Sequence, residues 1–314
     1  MVKVDLITGF LGAGKTTFIR KYARYLMDQG MNIGILENDL GAINVDMMLL
    51  HDLEGEQCEL EMVSGGCDRD CYKRRFKTKL IAMGMCGYDR VLIEPSGVFD
   101  VDDFFDTLYE EPLDRWYQIG NVITVVDAAL QTDLSREADY VLASEAADAG
   151  CVLLSRSQEA TEEEIQNTIG HLNRALKDIQ CKRVLKDEIL VKNWEEFTDE
   201  DFYRILTSGY VAESYQKMSL EDSDVFDSLN FMNHGLSEPE MQHTAEQILK
   251  DPACGTVLRI KGFCQKEDKT WVELNATHHE TLLRKTEAGQ EVLIVIGQKL
   301  NEERIRQYLA SIRE

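Results

Sequence analysis

The sequence predicts an α/β protein in which helices flank both faces of a mainly parallel sheet. Short β-branched runs recur along the first part of the chain, and amphipathic stretches separate them. Apolar strands that alternate with helices are typical of parallel sheets, because each crossover places a helix on one face. The predicted strands are VKVDLIT (2–8), MNIGILE (31–37), DRVLIEP (89–95), NVITVVDA (121–128) and CVLLS (151–155), and the clearest helices are 16–30 and 161–179.

A change of pattern predicts a second, smaller domain. The alternation of strands and helices continues to about residue 207, so residues 1–207 are assigned to the first domain. Residues 208–250 are assigned to an acidic connector, because much of this stretch is polar and weakly periodic. A small α+β domain is assigned to residues 251–314, with predicted strands 255–263, 270–277 and 291–300 and a closing helix 301–313 whose N-cap is Asn301.

The composition excludes several classes of function. Among 314 residues, 34 are Lys or Arg and 57 are Asp or Glu, which gives a formal net charge of −23. So acidic a surface repels nucleic acid and anionic membranes, and we expect neither as a partner. The chain shows no signal peptide and no membrane-spanning stretch, and 8 cysteines are too few for a disulfide scaffold. We expect a cytoplasmic protein with reduced thiols.

The stretch GFLGAGKT (9–16) is predicted to bind phosphate. It fits the pattern G-x-x-x-x-G-K-[ST], with a predicted strand before it and a predicted helix from about Lys15. Lys15 adds positive charge for the β- and γ-phosphates, and Thr16 offers a hydroxyl to Mg²⁺. Three glycines let backbone N–H groups turn towards the anion, namely Gly9, Gly12 and Gly14. The first domain is therefore predicted to be a P-loop NTPase that binds a nucleoside triphosphate.

The stretch VLIEPSGV (91–98) is predicted to be a second part of the phosphate site. An apolar strand ends at Glu94, and Gly97 follows where a backbone N–H can meet the γ-phosphate. Glu94 can hold Mg²⁺ through water or orient the attacking water. An acidic residue at a strand end is often merely solvated, but beside a phosphate loop in a parallel sheet the functional interpretation is favoured.

Several motifs together resemble the CobW-like metallochaperone GTPases of the CobW/HypB/UreG type. In the first domain they are ITGFLGAGKTT (7–17), ENDLGAINVD (37–46), IEPSG (93–97), VITVVDA (122–128) and LNRAL (172–176). In addition, GTVLRIKGF (255–263) and VLIVIGQKL (292–300) resemble the small C-terminal domain of that family. The resemblance therefore covers nearly the full chain.

This resemblance implies a function and a set of site residues. It implies GTP hydrolysis with Mg²⁺, which yields GDP and is coupled to delivery of zinc, cobalt or another transition metal to a client protein. It leaves a homodimer open. By position, it implies phosphate and Mg²⁺ binding by Gly12, Ala13, Gly14, Lys15, Thr16 and Thr17, a first switch segment with Glu37, Asp39 and Asp46, a γ-phosphate sensor from Glu94 to Gly97, and Asp127 on the nucleotide side.

The predicted base-reading loop departs from the family pattern. The family normally ends a strand with N-K-x-D, whose aspartate accepts hydrogen bonds from guanine, but this chain has SRSQ (155–158). Ser155 can replace part of the asparagine's hydrogen bonding, and the alkyl stem of Arg156 can cover a base face. Gln158 cannot supply a carboxylate, so guanine discrimination is expected to be weaker. Guanine stays the family expectation, and ATP stays an alternative.

The segment SGGCDRDCYK (64–73) is the candidate transition-metal segment. The family signature C-x-C-C is reduced here to Cys67 and Cys71, and Cys58 would add a third sulfur if its run is a strand lying alongside. Thiolates favour Zn²⁺ or Co²⁺ over Mg²⁺. Carboxylates that could complete a mixed shell are Glu37, Asp39, Asp68 and Asp70, of which Asp39 could serve Mg²⁺ instead.

Two other interpretations of these thiols stay open. Bases nearby would lower their pKa values and suit a dithiol switch, namely Arg69, Lys73, Arg74 and Arg75. Alternatively, the thiols have no function, as is common for cysteine. Of the remaining candidates, Cys86, Cys151 and Cys181 are predicted to be packing residues, and His243, His278, His279, Cys254 and Cys264 are interpreted as surface or core rather than as a second metal site.

Two further functions are compatible with a phosphate loop. One is a metal-free, nucleotide-dependent switch that chaperones a cofactor enzyme, and the other is a P-loop kinase for a small acceptor. No separate lid with arginines is evident in the sequence, which counts against the kinase. The clustered thiols and carboxylates count against the metal-free switch, because a plain switch does not need them. The basic run YKRRFKTK (72–79) is interpreted as a solvated helix face or a docking surface for an acidic client.

Overall fold

The computed structural model of the protein describes residues 1–10, 12–39, 45–64, 69–95, 101–131, 134–218, 227–278, 281–286 and 289–310. The chain divides into two compact units, Met1–Ser219 and Leu220–Glu314. Each unit has its own sheet and its own hydrophobic core. The two units are described separately below.

The first unit contains a seven-stranded parallel sheet. Its strands run in the order β3-β2-β4-β1-β5-β6-β7, and each adjacent pair is parallel. This confirms the predicted α/β fold. The strands are β1 Val2–Thr8, β2 Ile33–Asp39, β3 Cys58–Ser64, β4 Arg90–Glu94, β5 Tyr117–Asp127, β6 Cys151–Ser155 and β7 Ile189–Val191.

Helices flank this sheet, and their sequences explain where they begin. Helix α7 starts with a capping box, in which Thr161 and Glu164 satisfy each other's backbone N–H groups. Helix α1 buries Phe18, Tyr22 and Leu26, which recur at the spacing of one helix face. The helices are α1 Lys15–Asp28, α2 Val45–Leu50, α3 Arg69–Met83, α4 Val101–Tyr109, α5 Leu113–Trp116, α6 Arg136–Ala147, α7 Glu162–Asp178 and α8 Asp199–Leu206, with short 3₁₀ turns at His51–Leu53 and Trp194–Glu196.

A buried ion pair ties the central strands together. Asp5 of β1 is fully buried and pairs with Arg90 of β4. The same carboxylate accepts hydrogen bonds from the Tyr22 hydroxyl and from the backbone and side-chain N–H groups of Asn121, each at 2.9 Å. A buried charge is stable only when it is paired and hydrogen-bonded, as it is here. This network fixes β4, β1 and β5 side by side below the edge where the candidate site lies.

The second unit is an antiparallel sheet with helices α9 and α10. Its strands run in the order β11-β10-β9-β12-β8. Met241, Ala245 and Ile248 of α9 belong to the core of this unit together with residues of β9 and β10. The elements are β8 Asp227–Met232, α9 Glu238–Lys250, β9 Thr256–Gln265, β10 Trp271–Thr277, β11 Thr281–Thr286, β12 Val292–Gln298 and α10 Glu302–Ala310, with a 3₁₀ turn at Pro252–Cys254. The predicted N-cap is present, because the Asn301 side chain accepts from the Arg304 N–H at 3.1 Å.

The connector predicted for residues 208–250 is wrong in its second half. That half contains strand β8 and helix α9, which belong to the second unit. Ser237 and Glu240 form a capping box at the start of α9, and its apolar residues then recur at helical spacing among polar ones. The high polar content of the segment hid this pattern. The described part of the chain contains no helix that is both long enough and apolar enough to cross a bilayer.

Candidate nucleotide-binding site

The predicted phosphate site lies at the carboxyl edge of the parallel sheet. There β1 leads into the phosphate loop, β4 ends at Glu94, β5 ends at Asp127 and β6 ends at Ser155. The register aligns these ends, because Asp127 lies opposite Ser155 and Glu37 of β2 lies opposite Glu94. Ligands of open α/β sheets bind at this edge. Residues that are far apart in the sequence are thus brought together.

The backbone of the phosphate loop has the conformation that its glycines allow. Gly9, Gly12 and Gly14 have φ angles of 132°, 90° and 106°, in the region that side chains disfavour. A Cβ on Gly9 would lie 2.1 Å from the Val125 carbonyl oxygen, so no other residue fits there. Gly14 is the N-cap of α1 and offers no side-chain acceptor to its first amides. Those amides can therefore bind an anion at the positive end of the helix.

Lys15 carries a buried positive charge in this loop. Its ammonium group donates hydrogen bonds to the carbonyl oxygens of Gly9 at 2.9 Å and Phe10 at 3.3 Å. The Glu94 carboxylate lies 3.7 Å from the same ammonium and is itself buried. A phosphate group would compete with these oxygens for the lysine. The lysine is therefore positioned to bind phosphate without first losing a full shell of water.

The residues around Glu94 fit a magnesium ion. The Thr16 hydroxyl donates to Glu94 Oε2 at 3.1 Å, and Glu37 occupies the neighbouring register position on β2. Hydroxyl and carboxylate oxygens are the hard donors that Mg²⁺ prefers. Asp39, the last residue of β2, lies on the same edge, but its side chain is outside the described part of the structure. Gly97 is also outside the described residues.

On the base side of the site, Arg156 connects two strand ends with the phosphate loop. It forms an ion pair with Asp127 and donates a hydrogen bond to the Gly12 carbonyl at 3.1 Å. Its own φ angle is 53°, so the backbone turns sharply after Ser155. Gln158 is exposed and donates to Glu159 at 3.0 Å. SRSQ therefore lies at the edge where a base-reading loop is expected, and the Arg156 guanidinium is partly shielded from solvent.

Trp194 is a site residue that sequence reasoning missed. Its ring lies 3.4 Å from the position that a Cβ on Gly14 would take, and it packs edge-on against Phe18. The 3₁₀ turn that carries it follows β7, and the Asn193 side chain caps that turn by accepting from the Glu195 N–H. In the sequence, a short apolar run followed by this asparagine could have predicted a strand and a capped turn here. The loop after β7 therefore packs against the start of α1.

The predicted metal segment is only partly described. Cys71 lies in the first turns of α3, its side chain is outside the described residues, and so is the whole of Cys67. Asp46 and Asp70 lie in helices but their side chains are likewise not described, and Asp68 is outside altogether. Among the side chains that the structure does describe, no three of His, Cys, Asp and Glu form a group that could hold a metal.

Cys58 does not join that segment, which corrects the prediction of a third thiolate. It is the first residue of β3, whereas Cys67 follows the last one, Ser64. Strands rise about 3.3 Å per residue, so the two ends of β3 are about 20 Å apart. Cys58 is packed in the core, and burial raises the pKa of its thiol to about 12. Such a thiol is not a nucleophile at neutral pH, and its position in the core separates it from the metal segment.

Most of the other cysteines are packing residues, as predicted. Burial raises the pKa of Cys151 to about 12, and it also raises the pKa values of Cys181, Cys254 and Cys264. Cys86 is an exception, because it is exposed in the turn after α3. The stretch that contains it is apolar only in part, and the chain turns there. Its placement in the core was therefore wrong.

Comparisons with known proteins identify relatives of part of this chain. The zinc chaperone YjiA of Escherichia coli (strain K12) is 29% identical over 181 residues, which are 55% of this chain and 55% of that protein. The zinc-regulated GTPase metalloprotein activator 1 of Schizosaccharomyces pombe is 25% identical over 211 residues, which are 64% of this chain and 50% of that protein. The chain thus spans about half the length of the curated relatives it matches.

The crystal structure of Zn(II)-bound YjiA GTPase from E. coli aligns with 100% of this chain and 99% of that one, at 18% identity and a TM-score of 0.37, which is too low to carry an argument. The family models are more informative. Residues 3–184 match the CobW/HypB/UreG nucleotide-binding domain, and residues 226–313 match the cobalamin synthesis protein CobW C-terminal domain. The phosphate loop, Glu94 and Asp127 all fall within the first match. The chain therefore belongs to the CobW/HypB/UreG family of nucleotide-binding proteins.

Proposed function

We propose that this protein is a metallochaperone that hydrolyses a nucleoside triphosphate, GTP by expectation, and delivers a transition metal to a client protein. The observation that carries this proposal is the group formed by the buried Lys15 and Glu94 and the half-buried Thr16 at the carboxyl edge of the sheet. Strand β3 ends at the same edge and leads into the segment with Cys67 and Cys71. The names of the E. coli and S. pombe relatives support zinc as the cargo rather than cobalt.

The described residues have distinct roles in the proposed hydrolysis. Lys15 would leave the Gly9 and Phe10 carbonyls and neutralise charge on the β- and γ-phosphates, while the N–H groups of the loop bind the phosphate oxygens. Thr16 and Glu94 would hold Mg²⁺, which when bound spreads the charge of the transferring phosphoryl group. Glu94 would also orient the attacking water. Gly97 is proposed to sense the γ-phosphate through its backbone.

The proposed link between nucleotide and metal runs through the end of β2. Glu37 lies beside Glu94 in the register, and Asp39 follows at the strand end. If γ-phosphate and Mg²⁺ move this segment, they move carboxylates that are proposed to complete the metal shell of Cys67 and Cys71. Metal affinity then depends on the nucleotide, and by linkage nucleotide affinity depends on the metal. Neither the metal-free switch nor the kinase has this support.

The first prediction concerns Lys15→Ala. Removal of the only charge that the loop offers to the phosphates should lower GTP turnover about a hundred- to a thousandfold. The measurement is phosphate release under saturating Mg²⁺. Lys21→Ala is the matched control, because Lys21 lies on the same helix and pairs with the exposed Glu195. Wild-type turnover in Lys15→Ala would place the hydrolytic site elsewhere.

The second prediction concerns base preference. Gln158 offers no carboxylate to guanine, and restoring one with Gln158→Asp should strengthen the preference for GDP over ADP about ten- to a hundredfold. Titrations of both nucleotides at matched Mg²⁺ concentration measure this ratio. Glu159→Gln serves as the control for a change of charge in the same turn. A wild-type preference for GDP of about a thousandfold would contradict the prediction, since it would leave no discrimination to restore.

The third prediction concerns the metal segment. We expect Zn²⁺ or Co²⁺ affinity to differ about five- to 150-fold between the GDP complex and the complex with a non-hydrolysable GTP analogue. Metal titration of the reduced protein in each state measures this, and cobalt bound through sulfur adds a thiolate-to-metal charge-transfer band. In Cys67→Ser/Cys71→Ser both the band and the nucleotide dependence should disappear.

The exposed Cys86 supplies the control for that measurement. Cys86→Ser removes an accessible thiol from the turn after α3 and should leave metal binding unchanged. If the double variant binds metal as the wild type does in every nucleotide state, Cys67 and Cys71 are not the metal ligands. The metallochaperone proposal would then lose its site, while the nucleotide-binding proposal would stand.

A further inference from the structure

A carboxyl group is buried close to the phosphate loop and has no part in the proposed hydrolysis. Glu145, near the end of α6, has 0% of its surface exposed. Both of its carboxyl oxygens are shielded from solvent, and the Gly9 N–H and the Lys15 ammonium act on them without completing a well-aligned hydrogen bond. An ionised carboxylate in such a place is unfavourable, because these two groups replace only part of the water that it has lost.

The position of Glu145 relative to the loop is fixed by two threonines. The Thr124 hydroxyl donates its proton to the Glu145 carbonyl oxygen at 2.7 Å. The Thr8 hydroxyl lies 2.9 Å from that of Thr124. Because Thr124 has already donated its only hydroxyl proton, Thr8 must be the donor between them. Thr8 is the last residue of β1, directly before Gly9. Helix α6 is thus tied, at Glu145, to the residue from which the phosphate loop begins.

The groups around Glu145 determine its charge. Burial raises its pKa to about 8, although the Lys15 ammonium and the Gly9 N–H both favour the charged form. From β4, Glu94 faces the same ammonium and shares its charge. Asp148, in the next turn of the chain, instead accepts from the Glu213 N–H at 2.9 Å. Lys15 is therefore the cation that lowers the pKa of Glu145, while Arg183 donates to the carbonyl oxygens of Ala146 and Ala147 in the same turn.

We propose that Glu145 is a positioning residue beside the phosphate loop whose carboxyl group must keep its proton for the loop to hold nucleotide at full affinity, so that nucleotide binding is coupled to retention of that proton. The inference rests on the proposed nucleotide binding and adds a regulatory property to that site. The site would hold its nucleotide less tightly when the pH rises.

The coupling follows from the charges that a nucleotide brings. Its phosphates place several negative charges in the loop and engage the ammonium of Lys15, which otherwise stabilises an ionised Glu145. Both effects raise the cost of ionisation, so the carboxyl group binds its proton more tightly in the complex than in the free protein. By linkage, the protonated protein binds nucleotide more tightly than the ionised protein. Affinity is therefore full below a pH of about 8 and falls as the pH rises through that value.

The test compares the affinity for Mg²⁺·GDP at about pH 6.8 and about pH 8.8 in the wild type and in Glu145→Gln. Glutamine has the shape of the neutral acid and cannot ionise. We expect wild-type affinity to fall about three- to sevenfold more than that of Glu145→Gln over this range, because a single group with a pKa near 8 can change affinity by at most about sevenfold between these pH values. The matched control is Glu137→Gln, which removes a carboxylate earlier in the same helix and should behave as the wild type. Any change in the ionisation of GDP itself affects all three proteins equally and therefore cancels from the comparison.

Calorimetry supplies a second measurement, which is decisive on the wild type alone even if Glu145→Gln does not fold. Wild-type protein titrated with Mg²⁺·GDP near pH 8, in two buffers of different ionisation enthalpy, should take up part of a proton. Uptake in Glu137→Gln should equal that of the wild type, and uptake in Glu145→Gln should be lower. If the wild type binds GDP with no proton uptake, or if its pH dependence equals that of Glu145→Gln, the inference is overturned. If GDP does not bind at either pH, the proposed nucleotide binding itself fails.

Discussion

The candidate site of the first unit is organised around the buried positive charge of Lys15. The Lys15 ammonium lies where β1 turns into α1, enclosed by carbonyl oxygens and faced by the Glu94 carboxylate. A charge in that position is stable only with oxygens around it, and each of these oxygens can give way to a phosphate. Three features would allow a phosphate to replace these oxygens: the glycine conformations, the absence of a side-chain cap at the start of α1 and the alignment of the strand ends. The features that suit a bound anion are therefore part of the packing of the sheet.

The phosphate loop could be predicted from the sequence because all the residues of its motif are neighbours in the chain. The glycines, Lys15 and Thr16 are neighbours in the chain, and the strand before them and the helix after them are strongly patterned. Glu94 could also be predicted, since a parallel sheet brings its strand ends to one edge. Helix α9 was missed although its capping box and apolar spacing are visible in the sequence, because the acidic character of the surrounding segment dominated the interpretation.

Residues whose roles depend on the path of the chain could not be predicted in this way. Cys58 is close in sequence to Cys67 but lies at the opposite end of β3, so proximity in sequence was misleading. Glu145 has no motif around it, and its burial results from how α6 packs against β5 and the loop. Trp194 reaches Gly14 only because β7 is at the same sheet edge. Tertiary packing, rather than the local sequence pattern, determines where these three residues lie.

The central claim, that nucleotide chemistry at Lys15 controls metal held near the end of β3, is tested most directly by metal release. Zinc-loaded protein is mixed with excess Mg²⁺ and either GTP or a non-hydrolysable analogue, in the presence of a chromophoric zinc chelator. The account predicts that the rate of zinc transfer to the chelator changes as GTP is hydrolysed, and stays constant with the analogue and in Lys15→Ala. A transfer rate that is the same for GTP, GDP, the analogue and the nucleotide-free protein would contradict it.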